Sequence, residues 1–180
     1  IEDATGRVVY QRPPSVPQQV MDARIAFIVR DMMRDAAERG TGTAARKVVP
    51  PEIAVAGKTG TTNDNVDVWF MGMTPDLVAG VWLGFDRPQT ITSGAAGGTL
   101  AAPIWGAMMA RYYAGRAAPA AWAPPPGLVT AELDRRTGQL ANDTTPAEQR
   151  YTEYFMPGTE PEPLRSIPWK AGVFGTLISW

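Results

Sequence analysis

Two apolar runs separated by only three residues restrict the fold of this chain more than any other feature of its sequence. The runs extend over residues 66–73 and 77–85, and Thr74-Pro75-Asp76 connects them. So short a connection permits an antiparallel hairpin but not the crossover that parallel strands need. The sequence therefore predicts an antiparallel sheet. Because both runs are apolar at odd and even positions, we expect both faces of the sheet to be covered.

Two segments with helical periodicity can cover this sheet. The first helix is predicted over residues 23–39, with Asp22 as its N-cap and Gly40 just past its end. Its charged side is expected to form a solvated face opposite the apolar positions; the charged residues are Arg24, Arg30, Asp31, Arg34 and Asp35, and the apolar ones are Ile25, Ile28, Val29, Met32, Met33 and Ala36. The second helix is predicted from residue 99 to 113, with Gly115 as its stop. The predicted fold class is therefore α+β, an antiparallel sheet covered by helices.

The remaining segments are rich in turn residues. Residues 1–12 predict a hairpin around the turn Asp3-Ala4-Thr5-Gly6, and residues 117–127 predict an extended Pro-rich connector. A second small hairpin is predicted from a strand at 128–133, a turn at 134–138 and the pair Gln139-Leu140, whereas the rest of the tail shows little periodicity. We therefore expect three parts, namely residues 1–116, the connector 117–127, and a small β appendage with an irregular tail at 128–180.

The chain contains no histidine and no cysteine, which limits its chemistry. A Ser-His-Asp triad, a thiol nucleophile, a zinc finger and a disulfide framework are all excluded. Any catalysis must use Ser, Thr, Lys, Tyr, carboxylates or a carboxylate-bound metal. The formal net charge of −1 argues against nucleic acid or an anionic membrane surface as a partner, since both require a basic surface.

One segment, A-G-K-T-G-T-T at residues 56–62, concentrates a cation, hydroxyl groups and glycines. A phosphate-binding P-loop, G-x-x-x-x-G-K-[ST], would require glycine at position 52, where the chain has Glu52. The residues after Lys58 also disfavour the helix that a P-loop needs. The competing interpretation is the K-T-G box of penicillin-recognising serine enzymes, which lies on a strand.

Segments on both sides of the box extend this second match. They are, in order, E-R-G-T-G-T-A at 38–44, D-V-W-F at 67–70, G-V-W-L-G-F-D at 80–86, A-P-I-W at 102–105 and F-M-P-G-T-E-P at 155–161. Together with the box they resemble the transpeptidase domain of class A (bifunctional) penicillin-binding proteins over roughly residues 1–162. The resemblance implies a serine β-lactamase-like fold, present here as a partial domain.

The same resemblance implies a function. The whole enzyme would cross-link peptidoglycan by acyl transfer through a serine acyl-enzyme, using stem peptides that end in D-Ala-D-Ala as donors and an amine as acceptor. β-Lactams would act as mimics of the donor, and no metal or organic cofactor is implied. The family's location is the extracytoplasmic face of the bacterial cell membrane, and its class A members carry a glycosyltransferase domain and a membrane anchor.

The resemblance also assigns roles within the box. Lys58 would anchor a carboxylate and favour proton transfer near the serine, and the backbone N–H of Thr61 would belong to the oxyanion hole. Thr59, Gly60, Thr61 and Thr62 are predicted to bind substrate, with the Thr59 and Thr61 hydroxyls receiving the terminal carboxylate. Strand alternation places Lys58 and Thr59 on opposite sides, so they can share one ligand only at a strand edge that borders a cleft.

The family's nucleophile motif S-x-x-K and its S-x-N box are not found in this chain. None of the serines is followed by lysine three positions later, and none begins S-x-N; they are Ser15, Ser93, Ser166 and Ser179. Because the family places both boxes before K-T-G, we expect them in an upstream half of the same domain, before Ile1, and we expect the isolated chain to be inactive. Two alternatives stay open: a catalytically inert binding module of the same fold, and a β-lactam-hydrolysing relative.

Several other side chains have two interpretations. The large apolar residues of the strands and second helix could line a groove but are expected in the core; they are Trp69, Phe70, Trp82, Trp105, Met108 and Met109. Asp64 and Asp67 could form a carboxylate pair for acid–base chemistry or metal binding, but their surroundings favour a polar turn. Residues 40–43, G-T-G-T, could form a ligand loop after the helix stop.

Overall fold

In the computed structural model, which describes residues 1–13, 16 and 18–162, three consecutive strands form an antiparallel sheet in the order β1-β2-β3. These strands are β1, Ala56–Thr61; β2, Val68–Met73; and β3, Val78–Leu83. The Thr74 N–H donates to the Leu77 carbonyl at 2.8 Å and closes the turn between β2 and β3. The predicted hairpin is therefore confirmed, and β1 lies at one edge of the sheet.

Within the described residues, three α-helices accompany the sheet, namely α1, Ala23–Glu38; α2, Thr43–Arg46; and α3, Ala102–Tyr113. The Asp22 carboxylate accepts the N–H of Arg24 at 2.8 Å and caps α1 as predicted. A wide helical turn, Gly97–Ala101, leads into α3. Gly115 follows α3 with a φ of 75°, the left-handed conformation typical of a helix stop. Both predicted helices are thus confirmed.

The core lies between the helices and one face of the sheet, which we name the covered face and which bears Val68 and Phe70. Trp105 of α3 packs edge-on against Phe70 with 5.3 Å between ring centroids, and both side chains are fully buried. Around them lie small and aliphatic residues from the helices and loops; these include Ala37, Ala45, Val49, Ile53, Val55, Ala101, Ala102 and Met109. This core fixes the helices on the covered face.

The opposite face, which we name the open face, carries large apolar side chains that stay accessible. The exposed fractions are 43% for Trp69, 44% for Met71, 65% for Val78 and 45% for Trp82. The expectation that both faces are covered is therefore wrong for the described residues, as is the core assignment of Trp69, Trp82 and, on α3, Met108. The physical reason is that α1 and α3 contribute to a single core on the covered face.

A second, two-stranded sheet is formed by β4, Val129–Asp134, and β5, Arg150–Phe155, which pair in antiparallel fashion. The predicted partner of the first strand, residues 139–140, makes only an isolated bridge to it through Leu140. The predicted pairing is therefore present only as this bridge, with the Asp134 N–H donating to the Gln139 carbonyl at 2.8 Å and the Ala141 N–H to the Glu132 carbonyl at 2.9 Å. The predicted turn is present as well, and Gly138 donates its N–H to the Asp134 carbonyl at 2.8 Å. The chain turns again at Asn142, where the Thr145 N–H donates to the Asn142 carbonyl, and returns as β5.

The C-terminal hairpin packs against the charged side of α1. Tyr154 of β5 meets Phe27 edge-on at 4.9 Å, and the Arg30 guanidinium lies 4.7 Å from the ring centres of both Phe27 and Trp122. Asp31 is only 5% exposed and forms an ion pair with Arg34 at 2.9 Å. The predicted solvated face of α1 is therefore wrong, because the connector and hairpin cover it.

The N-terminal segment and the connector contain little regular structure. Residues 1–12 close as a single antiparallel bridge, Glu2 to Val8, so the predicted hairpin is present only as this bridge. The connector, residues 117–127, belongs to no helix or strand. Of the helices in the described ranges, none has the length and apolar character needed to cross a membrane.

Two glycines on opposite faces of the sheet test this packing. A Cβ at Gly72 would lie 2.5 Å from Trp105 Cε2, whereas one at Gly80 would meet the movable Met71 Sδ. We expect Gly72→Ala to lower the free energy of unfolding by about 1–3 kcal/mol through overpacking. The matched variant Gly80→Ala should stay near the wild type in urea denaturation, and equal losses for both would contradict the described core.

The contact between hairpin and helix α1 predicts a pH effect. Burial raises the pKa of Glu153 above its ordinary 4.5, and the negative charges of Asp31 and Asp35 raise it further. The folded state then binds this proton more tightly than the unfolded state, so this group lowers stability as pH rises through its folded pKa. Glu153→Gln should raise the melting temperature at pH 7, and the gain should vanish near pH 4. The exposed control Glu148→Gln should show no such pattern; a gain that is independent of pH would contradict the assignment.

Candidate active site

The outer edge of β1, which we name the strand edge, presents backbone groups that the sheet leaves unpaired. The Thr62 N–H donates to the Asp67 carbonyl at 3.0 Å and continues the register of β1 with β2. Because hydrogen-bonded pairs alternate in an antiparallel ladder, Lys58 and Gly60 direct their backbone groups toward β2. The N–H and C=O groups of Thr59 and Thr61 therefore point outward, and no strand in the described ranges pairs with them.

The hydroxyls of Thr59 and Thr61 lie beside this edge, on the covered face. Thr59 Oγ1 is 2.7 Å from Thr41 Oγ1, and Thr61 Oγ1 accepts the N–H of Gly97 at 3.1 Å. Thr61 is exposed and Thr59 is half-buried. Since a hydroxyl has one hydrogen and two lone pairs, Thr61 keeps its hydrogen available for a ligand while it accepts from Gly97.

Lys58 projects from the opposite side of β1 but reaches the same edge. Its side chain is exposed, and its Nζ donates to the Thr59 carbonyl at 2.7 Å. That carbonyl is one of the outward-pointing backbone groups. The Lys58 ammonium, from the open face, and the threonine hydroxyls, from the covered face, therefore both border the strand edge. The expectation that Lys58 and Thr59 can cooperate only at an edge agrees with this arrangement.

Glycines allow the close approach of neighbouring elements to β1. A Cβ at Gly97 would lie 2.2 Å from the Trp69 carbonyl oxygen and 2.7 Å from that of Gly60, and one at Gly98 would lie 2.2 Å from the Thr41 carbonyl oxygen. Any larger residue at Gly97 or Gly98 would push the start of the α3 segment away from the strand. The glycine pair thus places the first N–H of this helical segment against Thr61.

The turn after β1 carries the remaining polar residues. The Thr62 hydroxyl accepts the Asp67 N–H at 2.8 Å, and Asp67 Oδ1 in turn accepts the Trp82 indole N–H at 2.8 Å. Asp64 and Asn65 have φ values of 58° and 55°, as expected for a tight polar turn. This geometry supports the turn interpretation of Asp64 and Asp67, and it gives Thr62 a structural hydrogen bond.

The structure brings together most, but not all, of the predicted residues. Lys58, Thr59, Gly60 and Thr61 share the strand edge, while the hydroxyl of Thr62 engages the turn. Sequence reasoning missed Thr41 and Gly97 as partners of the box hydroxyls. The only signal for Thr41 was its G-T-G-T loop, and no local pattern connects Gly97 with residue 61.

Of the four serines, Ser93 alone lies within the described residues. Ser93 lies in the exposed loop between β3 and the turn before α3, and its sequence context lacks a lysine three residues later. Ser15, Ser166 and Ser179 lie outside the described residues.

Family models match two parts of the chain. The model of the penicillin-binding protein transpeptidase domain matches residues 1–110, and that of the penicillin-binding protein 1A C-terminal domain matches residues 124–163. A solved structure of penicillin-binding protein 1A from Haemophilus influenzae shares the fold with a TM-score of 0.67 and 28% identity. That similarity covers 80% of this chain and 22% of the Haemophilus chain.

Curated relatives carry the same name. Penicillin-binding protein 1A of Pseudomonas aeruginosa is 39% identical over 156 residues, which is 86% of this chain and 18% of the relative. The protein of that name from Neisseria lactamica is 42% identical over 109 residues, or 58% of this chain and 13% of the relative. The chain thus spans less than a fifth of the length of these relatives. Because the transpeptidase model matches well over half of its residues, the chain belongs to the penicillin-binding protein transpeptidase family, among the class A members.

Proposed function

We propose that this chain forms the substrate-recognition strand of a serine-type D-Ala-D-Ala transpeptidase that cross-links peptidoglycan. The observation that carries the proposal is the strand edge itself. It combines an outward N–H at Thr61, two threonine hydroxyls and the Lys58 ammonium within residues 58–61 of β1. Such an edge can add an extended peptide as a further strand.

The donor stem peptide would bind with its terminal carboxylate at the hydroxyls. Thr61 has a free hydroxyl hydrogen because its oxygen accepts from Gly97, so it can donate to a carboxylate oxygen. Thr59 lies two residues away on the same side of the strand and can supply the second hydrogen bond. Charge-assisted hydrogen bonds of this kind are stronger than neutral ones, and nearby Lys58 adds positive potential.

The backbone of the same strand would assist the chemistry. A tetrahedral intermediate of acyl transfer places negative charge on the former carbonyl oxygen, which the outward Thr61 N–H can stabilise. Gly60 has no side chain to obstruct the approaching donor backbone. Binding and oxyanion stabilisation would therefore both come from residues 58–61.

The covalent steps require a serine that this chain does not present in the family's motif. In the proposed reaction a serine Oγ, activated by the lysine of S-x-x-K, attacks the carbonyl of the penultimate D-Ala. The C–N bond breaks and D-Ala leaves. An amine of a neighbouring stem peptide then attacks the acyl-enzyme and releases the serine. We propose that an upstream half of the domain supplies both this serine and the S-x-N box.

The proposal extends to ligands, location and domain limits. β-Lactams would acylate the same serine because their carboxylate and carbonyl mimic the donor. The protein would act at the extracytoplasmic face of the bacterial cell membrane. Residues 1–116 would belong to the transpeptidase domain, and residues 128–180 would form the C-terminal appendage. Residues 117–127 would connect these two parts.

Two neighbouring threonines provide a test of carboxylate recognition. In the full-length protein we expect Thr61→Val to lower the rate of acylation by benzylpenicillin by about 10- to 100-fold, since a hydrogen bond to a charged group contributes about 1.5–3 kcal/mol. Thr62→Val should have a much smaller effect, because the Thr62 hydroxyl accepts the Asp67 N–H at 2.8 Å and directs its own hydrogen to the Asp67 carbonyl at 3.4 Å. Mass spectrometry of the covalent adduct measures both rates. Equal rates for Thr61→Val and the wild type would refute the assigned role.

The missing motif predicts that the isolated 180-residue chain forms no penicilloyl ester. Incubation with a fluorescent penicillin, followed by a denaturing gel, should show no covalent band. The penicillin-binding protein 1A of Pseudomonas aeruginosa serves as the positive control. A stable band on this chain, and above all one that Ser93→Ala removes, would show that the nucleophile lies within it.

A further inference from the structure

Thr41 reaches the predicted carboxylate site from a different part of the chain. It lies in the short loop between α1 and α2, and its Oγ1 is 2.7 Å from Thr59 Oγ1. Within the described residues, the hydroxyl of Thr59 forms its hydrogen bond with Thr41. Thr41 is exposed, so its side chain does not serve to fill the core.

The loop holds Thr41 in a narrowly defined place. The Gly42 N–H donates to the Ala36 carbonyl at 2.8 Å, which closes the loop over the last turn of α1. A Cβ at Gly40 would lie 2.9 Å from Ala36 Cα, and one at Gly98 would lie 2.2 Å from the Thr41 carbonyl oxygen. The backbone of Thr41 is therefore enclosed between α1 and the segment before α3, and its hydroxyl is aimed at β1.

The hydrogen count of the two hydroxyls determines what Thr41 can do. Each hydroxyl has one hydrogen, so in the pair one oxygen donates and the other accepts. If Thr59 donates to Thr41, it has no hydrogen left for a ligand. If Thr41 donates, the hydrogen of Thr59 is free, and the oxygen that accepts becomes a better donor through polarisation.

We propose that Thr41 is a positioning residue that donates its hydroxyl hydrogen to Thr59 and thereby directs the Thr59 hydrogen toward the terminal carboxylate of the donor peptide. This inference rests on the proposed function. It adds a residue from outside the K-T-G strand to carboxylate recognition and assigns it an effect that passes entirely through Thr59.

The test uses the full-length protein and two matched probes, benzylpenicillin and its methyl ester. The two differ only in the carboxylate, and mass spectrometry follows the acylation rate for each. We expect Thr41→Val to slow acylation by the free acid roughly five- to tenfold, because the variant loses the hydrogen bond that Thr41 donates to Thr59. The rate with the ester should stay unchanged. Thr41→Ser, which retains the hydroxyl, should behave as the wild type, and so should Thr130→Val, an exposed position on β4.

A double-variant cycle tests whether Thr41 acts through Thr59. In the Thr59→Val background, Thr41→Val should cause no further loss with the free acid. A further loss of the same size, an equal loss with acid and ester, a Thr41→Ser variant as slow as Thr41→Val, or no loss at all would each overturn the inference. A wild-type protein that forms no adduct, or that reacts equally with acid and ester, would instead refute the proposed function and the inference with it.

Discussion

The structure depends on the close approach of two aromatic rings to two strand glycines. A Cβ at Gly57 would lie 2.5 Å from the Phe70 ring, and one at Gly72 would lie 2.5 Å from the Trp105 indole. With glycine at both positions, the covered face of β1 and β2 is flat enough for Trp105 to lie on it. The indole also donates to the Ala79 carbonyl at 3.0 Å, which fixes the position of α3 along the strands as well as its height.

This packing also assembles the candidate site. When α3 lies close to the sheet, the preceding glycines reach the strand edge, and the Gly97 N–H meets the Thr61 hydroxyl. Gly42, whose Cβ would lie 3.0 Å from the Phe70 ring, holds the α1–α2 loop against the same aromatic cluster and brings Thr41 to Thr59. The polar contacts of the K-T-G strand are therefore consequences of the core, although neither Thr41 nor Gly97 is near it in sequence.

The difference between local patterns and contacts of distant segments explains how much could be predicted from the sequence. The helix at residues 23–38 and the hairpin of β2 and β3 follow from local periodicity and a three-residue turn, and both were predicted correctly. β5 was missed even though its sequence, R-Y-T-E-Y-F, is rich in β-formers, because the turn at Asp134–Gly138 suggested a nearer partner. The burial of Asp31 was also missed, since helical periodicity does not indicate which distant segment covers a charged side.

The candidate site shows the limit of strand alternation as a guide to function. Alternation correctly places Lys58 and Thr59 on opposite sides of β1, and in a central strand that would separate them into different environments. At an edge strand the separation has another result, because the Lys58 ammonium folds onto the outward Thr59 carbonyl while the hydroxyls reach the same boundary from the covered face. One extended ligand along the edge can then meet a cation, two hydroxyls and a backbone N–H at once. None of these groups is a histidine or a cysteine, so the absence of both residue types does not affect this mode of ligand recognition.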